Sequence, residues 1–192
     1  MRLHEDMTDT AISAHPAYIA GTWTLDPAHS EITFSVRHLA ISKVRGSFEK
    51  FDVTVETAEG DEDPTITATI DVSSVNTGVE ARDQHLRTSD FFLVEEHPTA
   101  VFTAKSFVLD GDDVTIDGEL TLRGVTQPVQ LKAEFGGIVT DAYGNTKAGV
   151  SATTTFNRRD FGVNWNAALE AGGMTLGDDV TLNIELQFAL QK

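Results

Sequence analysis

"VTLNIELQFAL", residues 180–190, alternates without a break. Val180, Leu182, Ile184, Leu186, Phe188 and Leu190 face one way, and Thr181, Asn183, Glu185 and Gln187 face the other. A period of two sustained over this length is that of a strand with one apolar face, not of a helix. The same period recurs upstream. Ile32, Phe34 and Val36 alternate with Glu31, Thr33, Ser35 and Arg37, and Val114, Ile116, Gly118, Leu120 and Leu122 with Thr115, Asp117, Glu119, Thr121 and Arg123. Shorter alternating runs occupy 44–56, 65–72, 99–108, 128–137 and 147–157.

Turn chemistry separates the runs. "LDGDDV" (109–114) and "DAYGNTK" (141–147) carry Asp/Gly and Gly-Asn hairpin signals, "EGDEDP" (59–64) is a polar turn, and Asp26-Pro27 begins another. About eight strands at hairpin spacing predict an all-β antiparallel sandwich or up-and-down barrel. One stretch breaks the period: "VNTGVEARDQHLRTSDFFLVEEHP", residues 75–98. Thr77 with Glu80 fits a capping box, so a short helix is expected near 77–95, followed by a second turn capped by Ser89 or Asp90. This excursion either covers a barrel end or crosses the outside of the sheet.

The bulk numbers exclude several functions. The chain has 192 residues and no internal repeat, which predicts one domain over 21–192 behind a flexible tail, 1–20, with Met7 as a candidate start. No apolar run reaches the roughly 18 residues of a membrane helix, so stable membrane insertion is not expected. Residues 1–21 have no apolar core of a secretory signal, which makes the cytoplasm the default location. A formal net charge of −16 without a basic stripe argues against nucleic acid as a partner. The absence of cysteine excludes disulfides, thiolate metal sites and cysteine nucleophiles.

The histidines do not form a metal motif. His29 and His38 stand nine positions apart on an extended stretch, roughly 25–30 Å, and on opposite faces. His29 is expected to bond local backbone in its turn, and His38 to sit at a polar rim or touch a ligand head. No Gly-x-Ser-x-Gly elbow is present, "RRDFG" (158–162) lacks the loops that accompany a kinase Asp-Phe-Gly, and "DGDD" (110–113) reads as a hairpin tip. Arg82, Asp83, Arg158, Arg159 and Asp160 can pair with one another. The expectation is that they pin the helix and the 157–166 connection to the barrel rim. No catalytic residue, cofactor or metal is expected.

Five pieces in order and spacing together resemble one family: "WTLDPAHSEITFSVRHLAISKVRGSF" (23–48), "ARDQHLRTSDFF" (81–92), "HPTAVF" (97–102), "GELTLRGVTQPV" (118–129) and "NRRDFGVNW" (157–165). They resemble the YceI-like family of lipid- and polyisoprenoid-binding proteins over roughly 21–190. The resemblance implies an eight-stranded antiparallel lipocalin-like barrel that binds, sequesters or transports a long isoprenoid or other lipid in an apolar pore. It also implies a possible homodimer. Gly46, Gly118 and Gly124 would then form the barrel, and Asp26, Arg82, Asp83, Asn157 and Arg159 would pin its rim.

Parity fits a filled core as well as an open one, and the resemblance selects the open one. Parity then nominates the liners. Phe34 and Val36 form one inward row, ending near His38. Phe48, Val53 and Ile70 belong to the next strands, and Phe102 competes with Val101 for the inward position. Leu120, Leu122, Leu131 and Phe135 continue the wall, and Ile184, Leu186 and Phe188 close it. Leu86, Phe91 and Phe92 are expected to cover one opening, and Phe161, Trp165 and Met174 to line another. The alternatives are an enzyme using the same pocket, with His38 or Asp83 as base, and a ligand-free stress-response or interaction module.

Overall fold

The computed structural model describes residues 11–192. The expectation of a start at Met7 lies outside the described residues. The chain forms strands β1 (Gly21–Leu25), β2 (Glu31–His38), β3 (Ser42–Phe48), β4 (Phe51–Thr57), β5 (Thr65–Asp71) and β6 (Val75–Asn76), then the helix α1 (Glu80–Arg87). Five long strands complete it: β7 (Thr99–Asp110), β8 (Asp113–Leu122), β9 (Val125–Thr140), β10 (Thr146–Asn157) and β11 (Leu176–Leu190). All pairings are antiparallel. The order β1-β4-β5-β7-β8-β9-β10-β11 returns to β1, which closes an eight-stranded barrel. Closure leaves no edge within the ring to attract other strands.

β11 makes that closure. One of its sides pairs with β10 from Ala189 down to Asp179. Its other side pairs first with β1, Leu190 opposite Trp23, and then with β2, from Ile184 opposite Ile32 to Val180 opposite Val36. β1 and β2 are therefore two halves of one bent strand. The bend is held by Asp26, whose carboxylate accepts from the Ala28 amide, from Lys147 Nζ at 3.1 Å and from His29 Nδ1 at 3.0 Å. β3 and β4 break at the same level, at 49–50, and β5 and β6 break at 72–74. Below the breaks β2, β3 and β6 splay from the ring.

Residues 77–98 fill the gap this leaves. Arg87 donates to the Ser73 carbonyl, and Arg123, from the β8–β9 turn, donates to the Ser89 carbonyl at 2.7 Å. The excursion therefore covers this end of the barrel. Its caps differ from expectation. Val79 is the residue before the helix and gives no side-chain cap. Thr77 instead donates its amide and hydroxyl to the buried Asp83 carboxylate, at 2.9 and 2.6 Å. Residues 88–97 form turns, as expected, but Asp90 pairs with His85 instead of capping.

Residues 11–20 also depart from the tail expected over 1–20. They lie across the opposite end of the barrel, tied by Ser13 to Asp61, His15 to Asp112 and the Tyr18 hydroxyl to the Ala58 carbonyl. The physical reason is apolar: Ile12, Tyr18 and Ile19 face the barrel interior.

Two outcomes test these contacts. A Cβ on Gly118 would press on the Phe102 ring and lie 2.6 Å from the Thr103 carbonyl oxygen, whereas one on Gly149 meets nothing within 4 Å. Gly118→Ala should lower unfolding free energy by about 1–3 kcal/mol, and Gly149→Ala should change it by less than about 0.5 kcal/mol. Urea midpoints at constant slope measure both. The His29 and Lys147 contacts hold the Asp26 carboxyl below its ordinary range. Its stabilisation is full above the ordinary carboxylate pKa and is lost as pH falls through the folded value. The stability gap between the native chain and Asp26→Asn should therefore narrow on acidification, seen in denaturation curves across pH.

Candidate functional site

The ring encloses a cavity of about 250 Å³. It occupies the half of the barrel nearest residues 11–20. Its walls come from inward-facing residues at regular spacing: Val53 and Val55 on β4, Ile66, Ala68 and Ile70 on β5, and Phe102, Phe107 and Leu109 on β7. β8 to β10 supply Val114, Ile116, Leu120, Val129, Leu131, Ala133, Phe135, Ala148, Val150 and Ala152, and β11 supplies Leu182, Ile184, Leu186 and Phe188. Trp23 and Ile32 complete the ring, and Ile12, His15, Ala17, Tyr18 and Ile19 form the cover.

Thr154 adds one buried polar side chain to the wall of β10, and the polar side chains at the mouth, Thr57, Tyr18 and His15, are already engaged within the protein. The Thr57 hydroxyl donates to the Ile19 carbonyl at 2.7 Å and accepts from Trp23 Nε1 at 3.2 Å. Tyr18 donates to Ala58, and burial pushes its phenol upward, which keeps it uncharged. His15 Nδ1 accepts from the Ala17 amide while Nε2 faces Asp112 at 2.8 Å, an arrangement that places the ring proton on Nε2. The ring also stands edge-on to Phe135, with centroids 4.9 Å apart. What remains facing the void is hydrocarbon. Such a surface can exclude water and hold an apolar guest.

Of the residues nominated from sequence, Val53, Ile70, Phe102, Leu120, Leu131, Phe135, Ile184, Leu186 and Phe188 line this cavity. Phe102 wins over Val101, its ring tucked against Gly118. The others do not line it. Phe34, Phe48 and Phe92 stack in sequence toward the α1 end, centroids 5.4 and 6.0 Å apart, and Phe161 packs on Phe156 at 5.2 Å. Phe91 packs on Trp165 and His85, and Leu86 and Leu122 join the same core. These side chains fill the α1 end solidly, so they form the cavity's floor rather than a second opening. Val36 and His38 sit lower still on β2, half-buried, opposite Val180 and Leu176. Met174 is 52 % exposed in the connection before β11, where its backbone bridges Ala168.

The charged candidates are pins. Arg158, buried, donates to the Val163, Trp165 and Gly177 carbonyls, Arg159 pairs with Asp178 at 2.7 Å, and Arg82 holds Thr77. They bind these partners and not one another. His29 uses its ring on Asp26 rather than on backbone. Among the described residues no group of His, Asp and Glu is arranged to hold a metal ion, and no helix is long and apolar enough to cross a membrane. The liners that sequence reasoning left out include Ile32, Ile116 and Leu182, which share the parity of nominated neighbours, Trp23, on a strand where nothing was nominated, and residues 12–19, which carry no periodic signal.

Known proteins resemble this chain throughout the barrel. The YceI-like domain family matches residues 23–188. A UPF0312 protein of Staphylococcus aureus is 40 % identical over 172 residues, covering 88 % of this chain and 98 % of the relative. The crystal structure of a Campylobacter jejuni YCEI protein superposes with a TM-score of 0.69 at 32 % identity, over 81 % of this chain and 90 % of the other. A polyisoprenoid binding domain from Saccharophagus degradans shares the fold, with a TM-score of 0.67 at 17 % identity over 88 % of this chain and 98 % of its own.

The cavity makes a spectroscopic prediction. The chain has two tryptophans, and only Trp23 faces the void, so Trp165→Phe leaves a single reporter. Titrating this variant with a medium-chain alcohol should shift and saturate the Trp23 emission. An emission unchanged up to the alcohol's solubility limit contradicts an accessible void.

Proposed function

The chain belongs to the YceI-like domain family, and from that membership and its apolar cavity we propose that it binds and carries an isoprenoid-like lipid without transforming it. The observation that carries this reading is an apolar cavity within the barrel, whose polar groups at the mouth, on Thr57, Tyr18 and His15, are satisfied within the protein. The neighbouring Saccharophagus degradans domain, described as polyisoprenoid binding, supports the choice of ligand class. An enzymatic reading has less to stand on. Asp83 is buried and occupied by Thr77, and His38 lies on the rim at the far side of the aromatic floor.

Size refines the ligand. Benzene occupies an engineered cavity of about 150 Å³, so in proportion 250 Å³ accepts about ten carbons. Burying ten carbons at about 0.8 kcal/mol each gives roughly 8 kcal/mol before association costs. A guest of that size binds weakly, in the micromolar range or above. A longer chain gains more, but it must pass residues 11–20. In this reading those residues set the length accepted.

Native mass spectrometry of protein purified without detergent tests the reading. The expected result is a bound apolar mass, absent from Ala133→Phe, whose new ring occupies the void. A bare native chain that also fails to take up added isoprenoid alcohols overturns it. Deleting residues 1–20 should move the preferred alcohol toward longer chains in the same measurement, and Tyr18→Ala in the intact chain should move it the same way by a smaller step.

A further inference from the structure

The cavity's mouth and its floor differ sharply in charge. Residues 11–20 cover the mouth, and two turns frame it. The β4–β5 turn carries Glu59, Asp61, Glu62 and Asp63 immediately before Pro64, which lines the cavity. The β7–β8 turn carries Asp110, Asp112 and Asp113 between Leu109 and Val114, which also line it. Neither turn contains a lysine or arginine. Among the described residues, nearby cations do not compensate them: Lys147 is bound to Asp26, Lys132 lies exposed on the outer face of β9 beside Glu134, and Lys192 ends the chain. The hydrogen-bond donors of the mouth, on Tyr18, Thr57 and His15, are already spent on protein acceptors.

The opposite end has the reverse character. No acidic residue occurs between Glu31 and Glu49, while Arg37, Lys43 and Arg45 are exposed on the β2–β3 hairpin without ion-pair partners among the described residues. An anionic head group would be stabilised there. The cavity does not reach it, because Phe48, Phe91, Phe92 and Phe161 fill the interior between.

A molecule whose tail occupies the void must therefore leave its head among carboxylates. Several like charges within a Debye length of about 8–10 Å repel a phosphate strongly, whereas an alcohol or quinone head loses nothing. We propose that the cavity selects isoprenoid-like molecules with an uncharged polar end and rejects their phosphorylated counterparts. This rests on the lipid-binding reading above and specifies its ligand class.

Geraniol and geranyl pyrophosphate share one carbon chain and differ in the head, and Trp23 emission in the Trp165→Phe variant reports both. Geraniol should bind, and the pyrophosphate should bind about tenfold more weakly or worse at low salt. Raising salt to about 0.5 M should narrow the gap. So should the combined variant Glu59→Gln, Glu62→Gln, Asp63→Asn and Asp113→Asn, whose side chains hold none of the ties to residues 11–20. Equal or tighter binding of the pyrophosphate overturns the charge selection and leaves lipid binding standing. Failure of both ligands, with the circular dichroism of a folded barrel, overturns lipid binding and this inference together.

Discussion

Everything in this protein depends on one strand satisfying both of its edges. β11 pairs with β10 along almost its whole length, and its other edge is shared between β1 and β2. Without the bend at Asp26, a single straight partner would follow β11 and the sheet would not turn inward at the α1 end. With it, the upper half closes as a complete ring and the lower half opens into a gap. The buried backbone groups of the ring are paired strand to strand, so its interior can remain hydrocarbon with no polar cost.

The two halves then take different fates. The gap in the lower half admits residues 77–98, whose phenylalanines complete a packed aromatic core. Among the described residues the upper half has no inserted element, and its inward side chains include Ala68, Ala133, Ala148 and Ala152, too small to meet across the barrel. Eight strands give an interior that large side chains just fill or that small ones leave partly empty. Here one barrel does both, one above the other. Holding the void open forgoes contacts that a packed core would make, a cost that is offset only when a guest enters.

Much of this was legible in the alternation. The strands, the hairpin tips at 110–113 and 141–145, and the inward rows follow from a period of two. Parity assigns a residue to a face but not to a height along the barrel axis. Phe34 and Ile32 share a face, yet Ile32 borders the void and Phe34 lies in the floor. The same blindness to height placed Phe161 and Trp165 at an opening when they seal one. Thr77 shows another limit. Its spacing to Glu80 fits a cap, but a buried carboxylate six residues on competes for the same hydroxyl and wins. Residues 11–20 were illegible for a simpler reason: three apolar side chains in an aperiodic segment have meaning only once the hole they cover exists.

The central claim is that the upper barrel contains a dry, continuous void. Diffraction from a crystal pressurised with xenon tests it directly, because xenon enters apolar cavities and leaves polar, hydrated ones alone. The account predicts a strong peak bounded by Trp23, Phe102, Leu131 and Phe188. Ordered waters in that space, or side chains collapsed across it, would contradict it.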